Sequence, residues 1–219
     1  MKEPKKEVMS LFTTPVAVTN IGREFTKDEL QLFLKDIPMY KKKVPRREDG
    51  RMFNHRSKNF TLFDSHVDTL KDIRNFCERE LKSYLEEIAG IDTNFAGLRI
   101  TQSWLNKNKP GEYHHPHYHA NSYLSAVLYI KCLPNDGIVF NNRLEGLLNN
   151  IIYPIIKSTE WNANTAKLDV KEGDLIIFPS STRHYVEENN TDKERISLSF
   201  NTFPIGELGT QDSGAYLKL

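Results

Sequence analysis

The sequence predicts a mainly β member of the α+β class, in which an amino-terminal helical layer packs on a carboxy-terminal jelly roll. Three observations carry this reading. Residues 64–90, "DSHVDTLKDIRNFCERELKSYLEEIAG", place Val67, Leu70, Ile73, Phe76, Cys77, Leu81, Leu85 and Ile88 at steps of three and four, the spacing of one helix face. After residue 95 that spacing stops, and short runs rich in Ile, Val, Leu, Phe and Tyr alternate with turn residues, the pattern of an antiparallel sandwich or small barrel. A helix with so wide an apolar face must bury it, and the sheet is the surface on offer, so one domain is expected.

Taken in order, "SLFTTPVAVTNI" (10–21) alternates weakly and reads as an edge strand. "FTKDELQLFLKDI" (25–37) starts a helix at Thr26 and carries Leu30, Phe33, Leu34 and Ile37 at helical spacing. Residues 41–60, "KKKVPRREDGRMFNHRSKNF", are basic and polar with Pro and Gly, and read as a long loop. The helix over 64–90 takes Asp64 or Ser65 as its cap and stops at Gly90. "AGLRITQSWLN", "SYLSAVLYIK", "GIVFNN", "GDLIIFPSS" and "RISLSFNTF" are the strands that follow. The expected organisation is helical support and edge strands over 1–95, a jelly-roll core over 96–205 and a tail over 206–219.

Composition narrows the function class. A formal net charge of +1 provides no general attraction for nucleic acid or an anionic membrane. Two cysteines, Cys77 and Cys132, are too few for a disulfide framework or a cysteine metal site, which fits a reducing compartment. The start "MKEPKKEVMS" has charge but no apolar segment behind it, and no apolar run approaches the roughly 20 residues of a membrane span. A cytoplasmic protein is expected.

Chemistry concentrates in "HHPHYHANSYLSAVLYI" (114–130), where four of the seven histidines fall within six positions. Strand side chains at i and i+2 share a face, so His115/His117 and His117/His119 are each a possible convergent pair. Two imidazoles on one face are the simplest beginning of a metal site, and spacing alone does not choose between the pairs. A further ligand is available from His184, which follows the buried run Leu175–Phe178 just past Pro179. In "RISLSF", Arg195, Ser197 and Ser199 share one face and Ile196, Leu198 and Phe200 the other. With the apolar face on the core, the Arg and Ser can line a cavity and take a carboxylate.

Together, "SWLNKNKPGEYHHPHYHANSYLSAVLYI" and "GDLIIFPSSTRHYVEENNTDKERISLSFN" resemble the Fe(II)- and 2-oxoglutarate-dependent oxygenases, in the prolyl-hydroxylase-like branch. The joint pattern is Trp-x-Asn, His-x-His, Ser-x-x-Ser, a Gly-Asp strand ending in Phe-Pro-Ser, a distal His and Arg-Ile-Ser, over roughly 98–203. The resemblance implies a cupin-like double-stranded β-helix, Fe(II) as metal, and 2-oxoglutarate and O2 as cosubstrates. It implies His117, His119 and His184 as the catalytic metal ligands, which settles the register and leaves His114 and His115 as rim residues. It places Arg195, helped by Ser197 and Tyr129, on the distal carboxylate of 2-oxoglutarate, with Asn106 as a cosubstrate or pocket residue. The implied reaction is a hydroxylation coupled to decarboxylation of 2-oxoglutarate, on a protein side chain, a small molecule or nucleic acid in that order of preference; the charge balance argues against nucleic acid, and no membrane partner is expected.

This sequence departs from the family in two places. His119 stands where a carboxylate is usual, and three neutral imidazoles are also the ligand set of a zinc hydration site. A zinc-dependent jelly-roll hydrolase or lyase, or a non-catalytic metal-stabilised binding module, is therefore the alternative. The segment "NNRLEGLLNNIIYPIIKSTEWNANT" (141–165) replaces a shorter Asp-Pro-containing stretch and leaves the substrate open.

Other histidine and basic motifs have simpler explanations. His66 and Asp68 lie two apart in an expected helix, so their side chains diverge by about 200°, and helix-start chemistry accounts for both. Trp104 and Trp161 read as packing residues, "KKKVPRR" (41–47) as a solvated loop, and Arg195 has Glu187 and Glu188 nearby as ion-pair partners.

Overall fold

The long amphipathic stretch is present and lies across one face of a large sheet. The description rests on a computed structural model and covers residues 8–9, 13–43, 52–142, 154–212 and 214–219. Helix α1 (Lys27–Gln31) opens with Thr26 as N-cap in a reciprocal capping box with Glu29 and continues as a π-helical turn, Leu32–Asp36. The wider turn carries Leu32, Phe33 and Ile37 inward and leaves Leu34 exposed, so the apolar face is not the one plain α-helical spacing suggests.

Helix α2 (Leu62–Ser65) precedes α3 (Val67–Ser83), and a second π-helical turn, Tyr84–Ile88, leads to Gly90 at φ 66. The expected cap at Asp64 or Ser65 is not used. Helix starts earlier, with the Phe63 N–H donating to Ser103 Oγ of the sheet, and breaks at His66, which is the N-cap position of α3. Leu70, Ile73, Phe76, Cys77, Leu81 and Leu85 are buried, whereas Val67 and Ile88 at the two ends are exposed. Each fully buried side chain of this kind contributes about 1.5–3 kcal/mol. They pack against Leu105, Leu128, Ile130, Ile177, Leu198 and Phe200 of the sheet in one core.

The large sheet runs β1 (Ala17–Asn20), β9 (Asp174–Pro179), β6 (Leu124–Lys131), β11 (Arg195–Leu208), β4 (Ala96–Asn108), β3 (Met52–Ser57), β2 (Met39–Lys43), with β12 (Leu217–Lys218) paired to β11. The small sheet runs β5 (His114–His117), β10 (His184–Val186), β7 (Gly137–Asn141), β8 (Thr165–Asp169). All named pairings are antiparallel. One face of the large sheet holds the helices. The other meets the small sheet over a second cluster of Tyr129, Ile138, Phe140, Ile176 and Phe178, which is the double-stranded β-helix arrangement.

β1 is the expected edge strand, and residues 10–12 of that stretch lie outside the described residues. Within the expected long loop over 41–60, residues 41–43 and 52–57 instead belong to paired strands, β2 against β3 with Tyr40 opposite Arg56. Polar residues occupy both faces there, so no alternation betrayed the strands, and lysines suit an outermost strand that must resist further pairing. Residues 44–51 between these strands and residues 143–153 of the long insert lie outside the described residues. No helix among the described residues is long and apolar enough to cross a membrane.

Candidate metal centre and adjoining anion wall

His117, His119 and His184 come together. One ligand atom from each lies within 4.8 Å of the other two, the group of three that could hold a metal among the described residues. Strand alternation explains only part of this convergence. β5 ends at His117, and His119 lies beyond it, held by its backbone N–H donating to Ser180 O at 3.0 Å. His184 begins β10 directly opposite His117 in the ladder. Ring centroids are 5.1 Å apart for His117–His119, 4.4 Å for His117–His184 and 5.2 Å for His119–His184. Pro116 causes no conflict, because β5 is an edge strand.

The protonation pattern suits a cation. His117 Nδ1 lies 2.8 Å from His115 O and His184 Nδ1 lies 2.9 Å from Thr182 O. Each ring therefore carries its proton on Nδ1 and keeps the Nε2 lone pair for a ligand bond. Burial, and then the neighbouring His117, lowers the His119 pKa to about 4. Burial likewise lowers that of His184 to about 4, against the hydrogen bond to Thr182 O that favours the charged ring. Near neutral pH both are neutral imidazoles. This donor set fits a divalent transition metal, and its three nitrogens leave coordination positions for other ligands.

The central strand β11 brings the second group of residues to the same cavity. Arg195 pairs with Asn108 of β4, Ser197 with Asn106, and Ser199 with Trp104; on the other side Ser197 pairs with Tyr129 of β6. Arg195, Ser197, Tyr129 and Asn106 thus line the cavity that also holds the three histidines. Burial drives the Tyr129 hydroxyl pKa well above its ordinary value, with Arg195 alone pulling the other way, so the phenol stays protonated as a donor. Asn106 is fully engaged within the wall: its amide donates to Ser199 Oγ at 3.0 Å and its oxygen accepts from Asn54 at 3.1 Å. Val127, Ile138, Phe178 and Phe200 supply apolar lining.

Three placements differ from the reading of the sequence. Arg195 pairs with neither Glu187 nor Glu188. Its Nη1 donates to Asp136 Oδ1 and its Nη2 to Asn108 Oδ1, both at 3.0 Å, while its Nε is buried with no acceptor among the described residues. His114, expected at the rim, lines the cavity and stacks on His117 at 4.2 Å. Trp104 does more than pack, since it lines the cavity with its ring 5.7 Å from that of His119. Asn108 and Asp136 were missed. Asn108 lies two residues from Asn106 on the same strand face, a signal that alternation could have supplied, whereas Asp136 sits in a turn whose position no local pattern reveals. His66 and Asp68 are not part of any metal-binding group among the described residues.

Residues 102–201, a little under half of the chain, match the family described as "Putative 2OG-Fe(II) oxygenase". Among solved structures, the chain is similar to the carbocyclase SnoK from nogalamycin biosynthesis, a non-heme alpha ketoglutarate dependent protein, at 13% identity and TM-score 0.57. That match covers 92% of this chain and 85% of that one. HygX from Streptomyces hygroscopicus, crystallised with nickel and 2-oxoglutarate, is similar at 11% identity and TM-score 0.52, covering 87% and 83%. A 2OG-Fe(II) oxygenase family oxidoreductase from Burkholderia pseudomallei is similar at 12% identity and TM-score 0.52, covering 79% and 76%. At these identities the structural likeness establishes the shared double-stranded β-helix. No curated protein matches the sequence significantly.

Proposed function

We propose that this chain, whose residues 102–201 match the 2OG-Fe(II) oxygenase family, is an enzyme of that kind and hydroxylates a protein side chain or a small molecule. Iron, 2-oxoglutarate and dioxygen would together supply oxidative decarboxylation to succinate and CO2, coupled to placing one oxygen atom in a substrate C–H bond. The observation that carries this reading is Arg195, a buried guanidinium that lines the same cavity as three converging imidazoles and whose Nε–H has no acceptor among the described residues. A metal hydrolase has no need of that cation.

The residues divide the work. His117, His119 and His184 would hold Fe(II), and the backbone carbonyls of His115 and Thr182 keep two of those rings in the ligating tautomer. Arg195, Ser197 and the protonated Tyr129 would bind the distal carboxylate by charge-assisted hydrogen bonds. Asn106, tied to Asn54 and Ser199, stiffens the wall between those two groups. The apolar lining keeps water from the reacting centre.

The test is anaerobic. Wild-type protein given Fe(II) and 2-oxoglutarate should develop the visible charge-transfer band of a chelated 2-oxo acid, and Arg195→Ala should lose it while still binding Fe(II). A zinc hydrolase or lyase using the same histidines would show no 2-oxoglutarate binding and would keep its activity without Arg195. Absence of both iron and 2-oxoglutarate binding in calorimetry would refute the proposal.

A further inference from the structure

The cavity at the three histidines holds only about 40 Å³ of free space, about enough for one water. Beside it lies a larger cavity of about 480 Å³, and Arg195 and Val186 line both. Asn108 and Asp136 line the larger one. Asp136 is pinned by the backbone N–H groups of Gly137 (2.9 Å) and Leu133 (3.4 Å), so its hold on Arg195 Nη1 comes from a fixed point. The Asn108 backbone is fixed too, its carbonyl accepting from Asn189 Nδ2 at 3.0 Å.

Around this pair the donors and acceptors do not balance. Asn108 Oδ1 must face Arg195 Nη2, because a guanidinium only donates, and this sets the amide orientation. Its Nδ2 then points elsewhere, and it is buried without an acceptor among the described residues. Arg195 Nε is in the same condition. Two neighbouring side chains, each more than nine-tenths buried, thus keep an unanswered N–H; Arg195 lines both cavities and Asn108 the larger one. Buried donors are rarely left so, and a pair of them calls for an acceptor with two oxygens.

We propose that Asn108 is a second donor for the distal carboxylate of the cosubstrate, which lies at the junction of the cavities between the Arg195 Nε–H and the Asn108 amide. The inference rests on the reading of Arg195 given above and adds a residue to it. Asp136 acts from behind as a positioning residue: it holds one side of the guanidinium and leaves the Nε side for the ligand.

The experiment is anaerobic calorimetry on full-length, Ni(II)-loaded protein, titrated with 2-oxoglutarate and with 2-oxopentanoate, which has the same carbon chain but no distal carboxylate. Asn108→Asp keeps an acceptor toward Arg195, so the fold is retained, but it puts a like charge in place of the donor. It should weaken 2-oxoglutarate by about 100-fold or more, while Ni(II) and 2-oxopentanoate binding stay within about 2-fold. Asn108→Ala, lacking the repulsion, should lose about 10-fold. If 2-oxoglutarate binds Asn108→Asp within about 3-fold of wild type while Arg195→Ala has lost it, Arg195 works alone and the proposal is overturned. If Ni(II)-loaded wild type does not prefer 2-oxoglutarate over 2-oxopentanoate, the assignment of Arg195 itself fails, and the proposal falls with it.

Discussion

Replacing Arg195 by Ala should destabilise the metal-free protein by about 3 kcal/mol, at the lower end of the roughly 3–5 kcal/mol for breaking a buried ion pair. The side chains of Arg195 and Asp136 are only 5% and 7% exposed, so removing the guanidinium strands a carboxylate away from water. The loss stays at the lower end because Asp136 keeps its two backbone donors, Gly137 and Leu133. Asp136→Ala strands the guanidinium instead, with Asn108 Oδ1 as its one remaining acceptor among the described residues, and should cost about as much. In a chain of this size about 3 kcal/mol lowers the thermal midpoint by about 6–12 °C. The assay is urea denaturation of wild type, both single variants and the double variant. The double variant should be less destabilised than the two singles combined, with a coupling of about 2–3 kcal/mol. Additivity to within about 0.5 kcal/mol would show that the two groups are not a desolvated pair, and the argument from burial would fail.

Three further outcomes follow from the packing and the site. His184→Ala should weaken Ni(II) binding by at least about 100-fold in calorimetry, since loss of an outer-sphere partner alone costs about 10–100-fold; His115→Ala, which leaves the carbonyl facing His117 in place, should not. Gly206→Ala should cost at least about 1–3 kcal/mol in denaturation, because Gly206 has φ +92 and an added Cβ would lie 2.2 Å from Phe95 O. For Glu29, burial alone would raise the carboxyl pKa, but the hydrogen bonds from Arg23 and Thr26 outweigh it and hold it below its ordinary value of 4.5. A lowered pKa means stability that is present above the unfolded value and is lost as pH falls through the folded one. The midpoint of wild type should therefore exceed that of Glu29→Gln near neutral pH, and the gap should close below pH 4.5; a gap independent of pH would refute the ion pair's role.

The site was more legible in the sequence than the wall that supports it. His117, His119 and His184 could be singled out because their close spacing and a strand-end position are local signals and the resemblance fixed the register, although His119 lies past the end of β5, where alternation no longer applies. Arg195, Ser197 and Ser199 could be read because residues 195–200 at the start of β11 alternate between an apolar face and a polar one. Asn108 shares a strand face with Asn106, so alternation marked it as a neighbour, but its role comes from lying opposite Arg195 in the ladder; Asp136 could not be read, since it reaches Arg195 from a turn. The β2–β3 pairing stayed hidden for a different reason. Lys41, Arg56 and their neighbours give no apolar face to detect, and tertiary pairing with β4 supplies the order that local pattern lacks. The π-helical turns were equally silent, because a one-residue widening of a helix leaves the composition unchanged.

The facing of His117 and His184 across β5 and β10 has a topological consequence. These are two very short strands, far apart along the chain, and an ion shared between them would act as a cross-link that closes a long loop. Loop-closure entropy grows only logarithmically with length, so extending the enclosed chain weakens such a clasp very little. The stretch over 141–165 lies inside that loop. Insertions there would be nearly free for the clasp, because lengthening a loop that is already long changes its closure entropy very little.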